Sequence, residues 1–178
     1  ESPDVAQMRQ QMKHDGHSSL ARHLWESDPS DAEKLVAFDR IIDLLEAAAL
    51  PPQFLLVFDE VWEVVDLVSK ALEPVYGLQN IFDFMVFNVK PGKGGWSLHR
   101  DRPSGAVGFQ EDGLPDYTTV WVAITDASPA TSCIYVLPAH ADPEYKAMSG
   151  SQHDLGIVAS FLQHVRALPV ERGTVLHW

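Results

Sequence analysis

The sequence predicts a mainly β domain with helices at its N-terminal end, the β part being a jelly roll or a related sandwich. Three observations carry this expectation. Apolar residues recur with helical spacing up to Gly77 and with a period of two after it. The strand-like segments then follow one another without helical crossovers, an order that goes with antiparallel sheets and not with a doubly wound one. The length, 178 residues, supports one domain with a proper core and falls short of two.

Residues 1 to 29 are polar and mixed, with His14, His17 and His23 irregularly spaced, and read as a lightly structured arm with a short helix. In "SDAEKLVAFDRIIDLLEAAALPP", Ser30 and Glu33 have the spacing of a capping box. Leu35, Phe38, Ile41, Ile42 and Leu45 fall on one helical face, and Pro51 and Pro52 end the helix. "FLLVFDEVWEVVDLVSKALEP" predicts a second helix with a stripe of Val61, Trp62, Val65, Val68 and Leu72, stopped by Pro74. "NIFDFMVFNVKPG" alternates, placing Phe82, Phe84, Val86 and Asn88 on one strand face. "YTTVWVAIT" sets Val120, Val122 and Ile124 opposite Trp121, Ala123 and Thr125. "SCIYVLP" and "GTVLHW" read as further strands, while Ile157 to Val165 fits either a strand or a helix. Residues 102–117 form a long, glycine-rich polar loop of the kind used as a lid or binding loop.

Composition narrows the function. A net charge of -12 repels phosphate backbones and argues against a nucleic-acid partner. No apolar run reaches the roughly 18 residues that suggest a membrane span, and no charged-then-apolar leader opens the chain. Cys133 is the only cysteine, so an intrachain disulfide and a cysteine zinc cluster are excluded and a reducing, cytoplasmic setting is expected. As a buried residue it reads as a small hydrophobe.

The stretch that carries chemistry is "GWSLHRDRP". On a strand, residues two apart point the same way, so His99 and Asp101 can aim an imidazole and a carboxylate at one point. That is two thirds of the two-histidine, one-carboxylate triad that holds Fe(II) and leaves coordination positions open. Alone, the pair is as compatible with a polar surface turn. It stands after the glycine-rich connector "PGKGGW" and before the long loop, with Lys90, Lys93, Arg100 and Arg102 around it. Such a cationic cluster in an acidic chain can attract an anionic substrate or cosubstrate, or can be a solvated loop.

"WSLHRDRP", "TTVWVAITDASPATSCIYVLPAH" and "LPVERGTVLHW", in that order, resemble the phytanoyl-CoA dioxygenase family over residues 81 to 178. The helical first part fits the family's N-terminal helices loosely. The resemblance implies a double-stranded β-helix, the cupin-like form of the jelly roll. It has 1–77 as a helical N-terminal part and 78–178 as the core of a single domain. It implies Fe(II), 2-oxoglutarate and O2 as cofactor and cosubstrates, hydroxylation of a small organic molecule, and release of succinate and CO2. His99 and Asp101 become metal ligands, and Asp101, where related halogenases have a small residue, favours hydroxylation. Trp121 matches a tryptophan near the cosubstrate; Trp96 and Asn88 are further candidates to face the pocket. His140 corresponds to a structural histidine in the family's Pro-Gly-Ser-His turn.

The family's distal histidine and the arginine that pairs with 2-oxoglutarate are expected beyond Trp178, together with the last strands of the core. His177 is on the matching strand but early for that ligand, and His164 and His153 are weaker candidates. A non-catalytic jelly-roll binding or scaffold protein, and a metal hydrolase on the same two ligands, are the competing readings. The substrate and the oligomeric state are not legible from the sequence.

Overall fold

In a computed structural model, the structure describes residues 2–20, 22–25, 29–77, 81, 83–93, 95–101, 108–145 and 162–178. Helix α1 spans Pro3–Asp15, strand β1 Ser18–Leu20, α2 Pro29–Ala47 and α3 Asp59–Tyr76. Strands β2 (Val120–Val122), β3 (Ile134–Val136), β4 (Arg166–Leu168) and β5 (Val175–His177) follow. Short 3-10 turns occupy Arg22–Trp25, Pro52–Val57 and Ala139–Ala141.

The helices form where expected, with corrections at their ends. Residues 3–20 are more ordered than an arm. Ser2 accepts a hydrogen bond from the Val5 amide, Asp4 lies in the first turn of α1, and Gly16, at φ +73°, closes the helix in the left-handed region. Ser30 is not the cap of α2, because the helix already begins at Pro29, a proline at the start being preorganised for a helix. Leu35, Phe38 and Ile42 are its buried stripe. In α3 the buried stripe is Val61, Val64, Val68, Leu72, Val75 and Tyr76. Val64 therefore takes the place given to Val65, and Trp62 is 44% exposed, donating its indole N–H to the Leu56 carbonyl. Pro74 does not stop α3, which runs on to Tyr76 before Gly77.

Two antiparallel sheets form, of order β1-β5-β2 and β3-β4. In the first, Ser18, His177 and Val120 stand in register, as do Leu20, Val175 and Val122. Thr119 and Trp178 exchange both backbone hydrogen bonds, and Ala123 bonds to Gly173 and Thr174, so the β2–β5 ladder outlasts its named strands at both ends. An Ala127–Val170 bridge continues the pairing toward β4.

The expected helices and antiparallel strands are both present, and among the described residues the three helices, of 13, 19 and 18 residues, are longer than the five strands of three residues each. What the structure shows is helices packed on small antiparallel sheets. Residues 83–90 keep the expected alternation, with Val86 buried and Met85 and Phe87 exposed, yet form no ladder with another described segment. Gln53 bonds the Val86 carbonyl instead, which ties the segment to the helical layer. Of the long loop, 102–107 lie outside the described residues. Its second half is anchored by Leu114, which is fully buried, and by a Phe109–Pro115 bridge. Residues 157–161 also lie outside the described part; from Leu162 the chain enters β4.

The core lies between the helices and one sheet face. Met8 and Met12 of α1 and the α3 stripe meet Val175, with Leu20, Val122 and Ile124 packed at the edge. Period two puts Thr119, Trp121, Leu176 and Trp178 on the opposite face. Trp25 fastens the β4–β5 turn by donating to the Gly173 carbonyl. A Cβ at Gly173 would stand 2.8 Å from the Trp25 indole nitrogen, and φ there is +86°, so glycine is the residue that fits. Cys133 is buried and free, as a small hydrophobe would be. No helix of the described residues is long and apolar enough to cross a membrane.

Candidate metal centre

His99 and Asp101 come together on the sheet face that the helices do not cover. His99 Nε2 lies 3.2 Å from Asp101 Oδ1, and both side chains are about two-thirds buried or more, at 32% and 26% exposure. Two ligands bound at right angles to one ion at about 2.1 Å stand about 3 Å apart, so the pair has the separation that a shared cation requires.

The ring's other hydrogen bond sets which nitrogen faces the carboxylate. His99 Nδ1 is 2.7 Å from the Ser97 carbonyl, which only accepts, so Nδ1 carries the proton and donates it. In the neutral ring Nε2 is then an acceptor facing a carboxylate oxygen. Two acceptors at that distance are held by a positive charge between them, either a proton on Nε2 or a metal ion. A backbone carbonyl that fixes the remote nitrogen is the usual way an imidazole ligand is oriented.

Asp101 is held from its other oxygen. Oδ2 accepts from the Thr119 hydroxyl and, at 3.0 Å, from the Trp178 indole N–H. These two residues pair across the β2–β5 ladder, so the sheet itself aims Asp101 and leaves Oδ1 turned toward His99. Arg100, between the two, pairs with Asp142 just after the Ala139–Ala141 turn and pins the loop to it.

The model of the phytanoyl-CoA dioxygenase (PhyH) family matches residues 4–178. The chain belongs to this family. The match takes in the three helices, which the motif resemblance fitted only loosely. Searches of curated proteins and of solved structures find no match. Membership places the chain in the Fe(II)/2-oxoglutarate oxygenase superfamily, whose members here are typically dependent on both.

The remaining sequence candidates are placed as follows. Trp121 is half-buried, paired with Leu176, on the same sheet face as Thr119 and Trp178. Asn88 donates to Glu46 of α2 at 2.8 Å. Trp96 is 73% exposed with its ring edge-on to Phe87. Asn88 is thus tied to the helical layer and Trp96 to Phe87. The cationic cluster is reduced: Lys90 pairs with Glu46 and Arg100 with Asp142, while Arg102 lies outside the described residues.

His177 of this PhyH-family chain faces the helices. It is fully buried, and its Nδ1 shares a 2.6 Å hydrogen bond with the Tyr76 hydroxyl. Trp178, one residue on, points to Asp101 on the other face, so the strand period takes His177 away from the pair. Burial, with a smaller push from His17, lowers its pKa to about 4, and burial raises that of Tyr76. His164 is exposed beside Gln163, and His153 lies outside the described residues. Nothing in the local sequence marks Thr119 and Trp178 as the holders of Asp101; a hydroxyl and an indole that meet only when β2 pairs with β5 have no motif.

Proposed function

We propose that the chain is a non-haem Fe(II)- and 2-oxoglutarate-dependent dioxygenase that hydroxylates a small organic molecule, with His99 and Asp101 as two of its metal ligands. The observation that carries this reading is the 3.2 Å approach of His99 Nε2 to Asp101 Oδ1 with Nδ1 committed to the Ser97 carbonyl. Family membership supports it independently.

Iron bound by these residues would supply the redox chemistry through which O2, 2-oxoglutarate and a C–H substrate become succinate, CO2 and the hydroxylated substrate. The residues do the rest. Ser97 holds His99 in the tautomer that presents Nε2. Thr119 and Trp178 hold the Asp101 carboxylate in one rotamer and satisfy the oxygen that does not face His99. Arg100 and Asp142 keep the loop in place. Trp121, on the face that carries these anchors, is the side chain assigned to pack against 2-oxoglutarate. The presence of a carboxylate at position 101 favours hydroxylation over halogenation.

The test is succinate release from 2-oxoglutarate by the complete protein under air with Fe(II). Activity is expected for wild type and lost in Asp101→Ala. Equal turnover in the variant would make the ligand assignment wrong. Calorimetry with Mn(II) separates the competing reading: no binding by the wild type would favour a non-catalytic jelly-roll binding or scaffold protein.

A further inference from the structure

We propose that His14, Asp15 and His140 form a second divalent-cation site, separate from His99 and Asp101, that clamps α1 to the Ala139–Ala141 turn. The three side chains offer one ligand atom each, all within 4.8 Å of one another. His14 Nδ1 lies 2.9 Å and His140 Nδ1 3.1 Å from the same oxygen, Asp15 Oδ1. The two rings stand 4.8 Å apart between centroids with planes tilted by 32°. Ligands on a tetrahedral zinc at about 2.0 Å stand about 3.3 Å apart, so both contacts to Asp15 already have that spacing. His99 and Asp101 belong to no such group of three among the described residues.

The backbone is built to bring these groups together. Gly16 follows Asp15 at φ +73°, and a Cβ there would stand 2.9 Å from that of Ala139 and 3.2 Å from the Tyr145 ring. The end of α1 thus lies directly on the turn that carries His140. A helix C-terminus exposes carbonyl oxygens with partial negative charge, which favours a cation at that end.

Two imidazoles and one carboxylate are a borderline donor set. It selects a late first-row divalent ion such as Zn(II) over Mg(II) or Ca(II), which demand oxygen. Exposure of His14 and His140 leaves room for water to complete the coordination. The clamp joins segments distant in sequence, α1 and the turn next to Asp142. Asp142 in turn holds Arg100 of the His99–Asp101 loop. A metal here would fix the first helix and steady the loop of the proposed oxygenase centre without taking part in its chemistry.

The experiment is calorimetric titration of the complete, tag-free, chelator-treated protein with Zn(II), beside thermal unfolding with and without the metal. Wild type, His14→Ala, His140→Gln and Asp101→Ala are compared, with circular dichroism to establish that each is folded. The expected result is a binding equivalent that persists in Asp101→Ala and is weakened at least about tenfold in His14→Ala and His140→Gln, apart from any equivalent at His99 and Asp101 that Asp101→Ala removes. The rise in unfolding temperature with Zn(II) should be smaller in His14→Ala and His140→Gln than in wild type. If the His14 and His140 variants bind and are stabilised as wild type is, the site is elsewhere and the proposal falls. It falls equally if all Zn(II) binding disappears in Asp101→Ala, or if wild type binds none. Asp101→Ala keeps this outcome distinguishable from the fate of the iron reading.

Discussion

Acidification should unfold this protein through His177 before it protonates the carboxylates. The ring is fully buried in the middle strand of the three-stranded sheet, its Nδ1 bonded to Tyr76 and its Nε2 without a partner among the described residues. An unpaired acceptor lone pair is cheaper to bury than an unpaired N–H, so the proton belongs on Nδ1. Adding a second proton would put a charge into the core, which is why burial depresses the pKa from 6.5 to about 4.

The unfolded chain therefore binds more protons than the folded one between these values. The stabilisation is fully present above pH 6.5 and is lost as pH falls toward 4. A shift of this size is worth about 3 kcal/mol at the limit and about 2 kcal/mol between pH 7 and pH 5. Against a typical domain stability of about 5–15 kcal/mol that is a large fraction. The assay is urea unfolding at a series of pH values for wild type and His177→Asn, which keeps a hydrogen-bonding atom near the position of Nδ1 but does not titrate. The variant starts less stable, and the gap between the two should narrow by about 2 kcal/mol from pH 7 to pH 5. His17, also depressed by burial, acts in the same direction in both proteins and cancels in the comparison. Curves that fall in parallel would refute the assignment of the acid sensitivity to His177.

Other outcomes follow from single contacts. Thr119→Val with Trp178→Phe removes both donors to Asp101 Oδ2 and should weaken Mn(II) binding by about 10–100-fold in calorimetry without abolishing it. Gly16→Ala forces a β-carbon into Ala139 at a positive φ and should cost about 1–3 kcal/mol in urea unfolding. Leu114→Ala empties a fully buried site under the 108–117 turn and should cost about 2–5 kcal/mol, read in the same way. By contrast, Trp96→Ala, at a 73% exposed position, should change stability by less than about 1 kcal/mol.

Local pattern in the chain carries the elements that short-range spacing can specify. Helical spacing located α2 and α3, and alternation marked 83–90, β2 and β5. The ordered motifs around His99 and Asp101 pointed to the family that the chain belongs to. Errors fell where a local rule was overridden by packing. Pro74 reads as a stop, but in the last turn of α3 the apolar contacts of Val75 and Tyr76 keep the helix going. Residues 83–90 alternate because one side is buried, and burial against helices needs no partner strand.

Tertiary structure alone decided which distant residues meet. Asp101 is aimed by Trp178, 77 residues away, and His177 is bonded to Tyr76 across 101 residues. His140 reaches Asp15 because Gly16 lets α1 end against its turn. Side-chain period is a property of a few consecutive residues and is written in them. Register between strands and the docking of a helix end depend on how the whole chain closes, and no short stretch of sequence contains that.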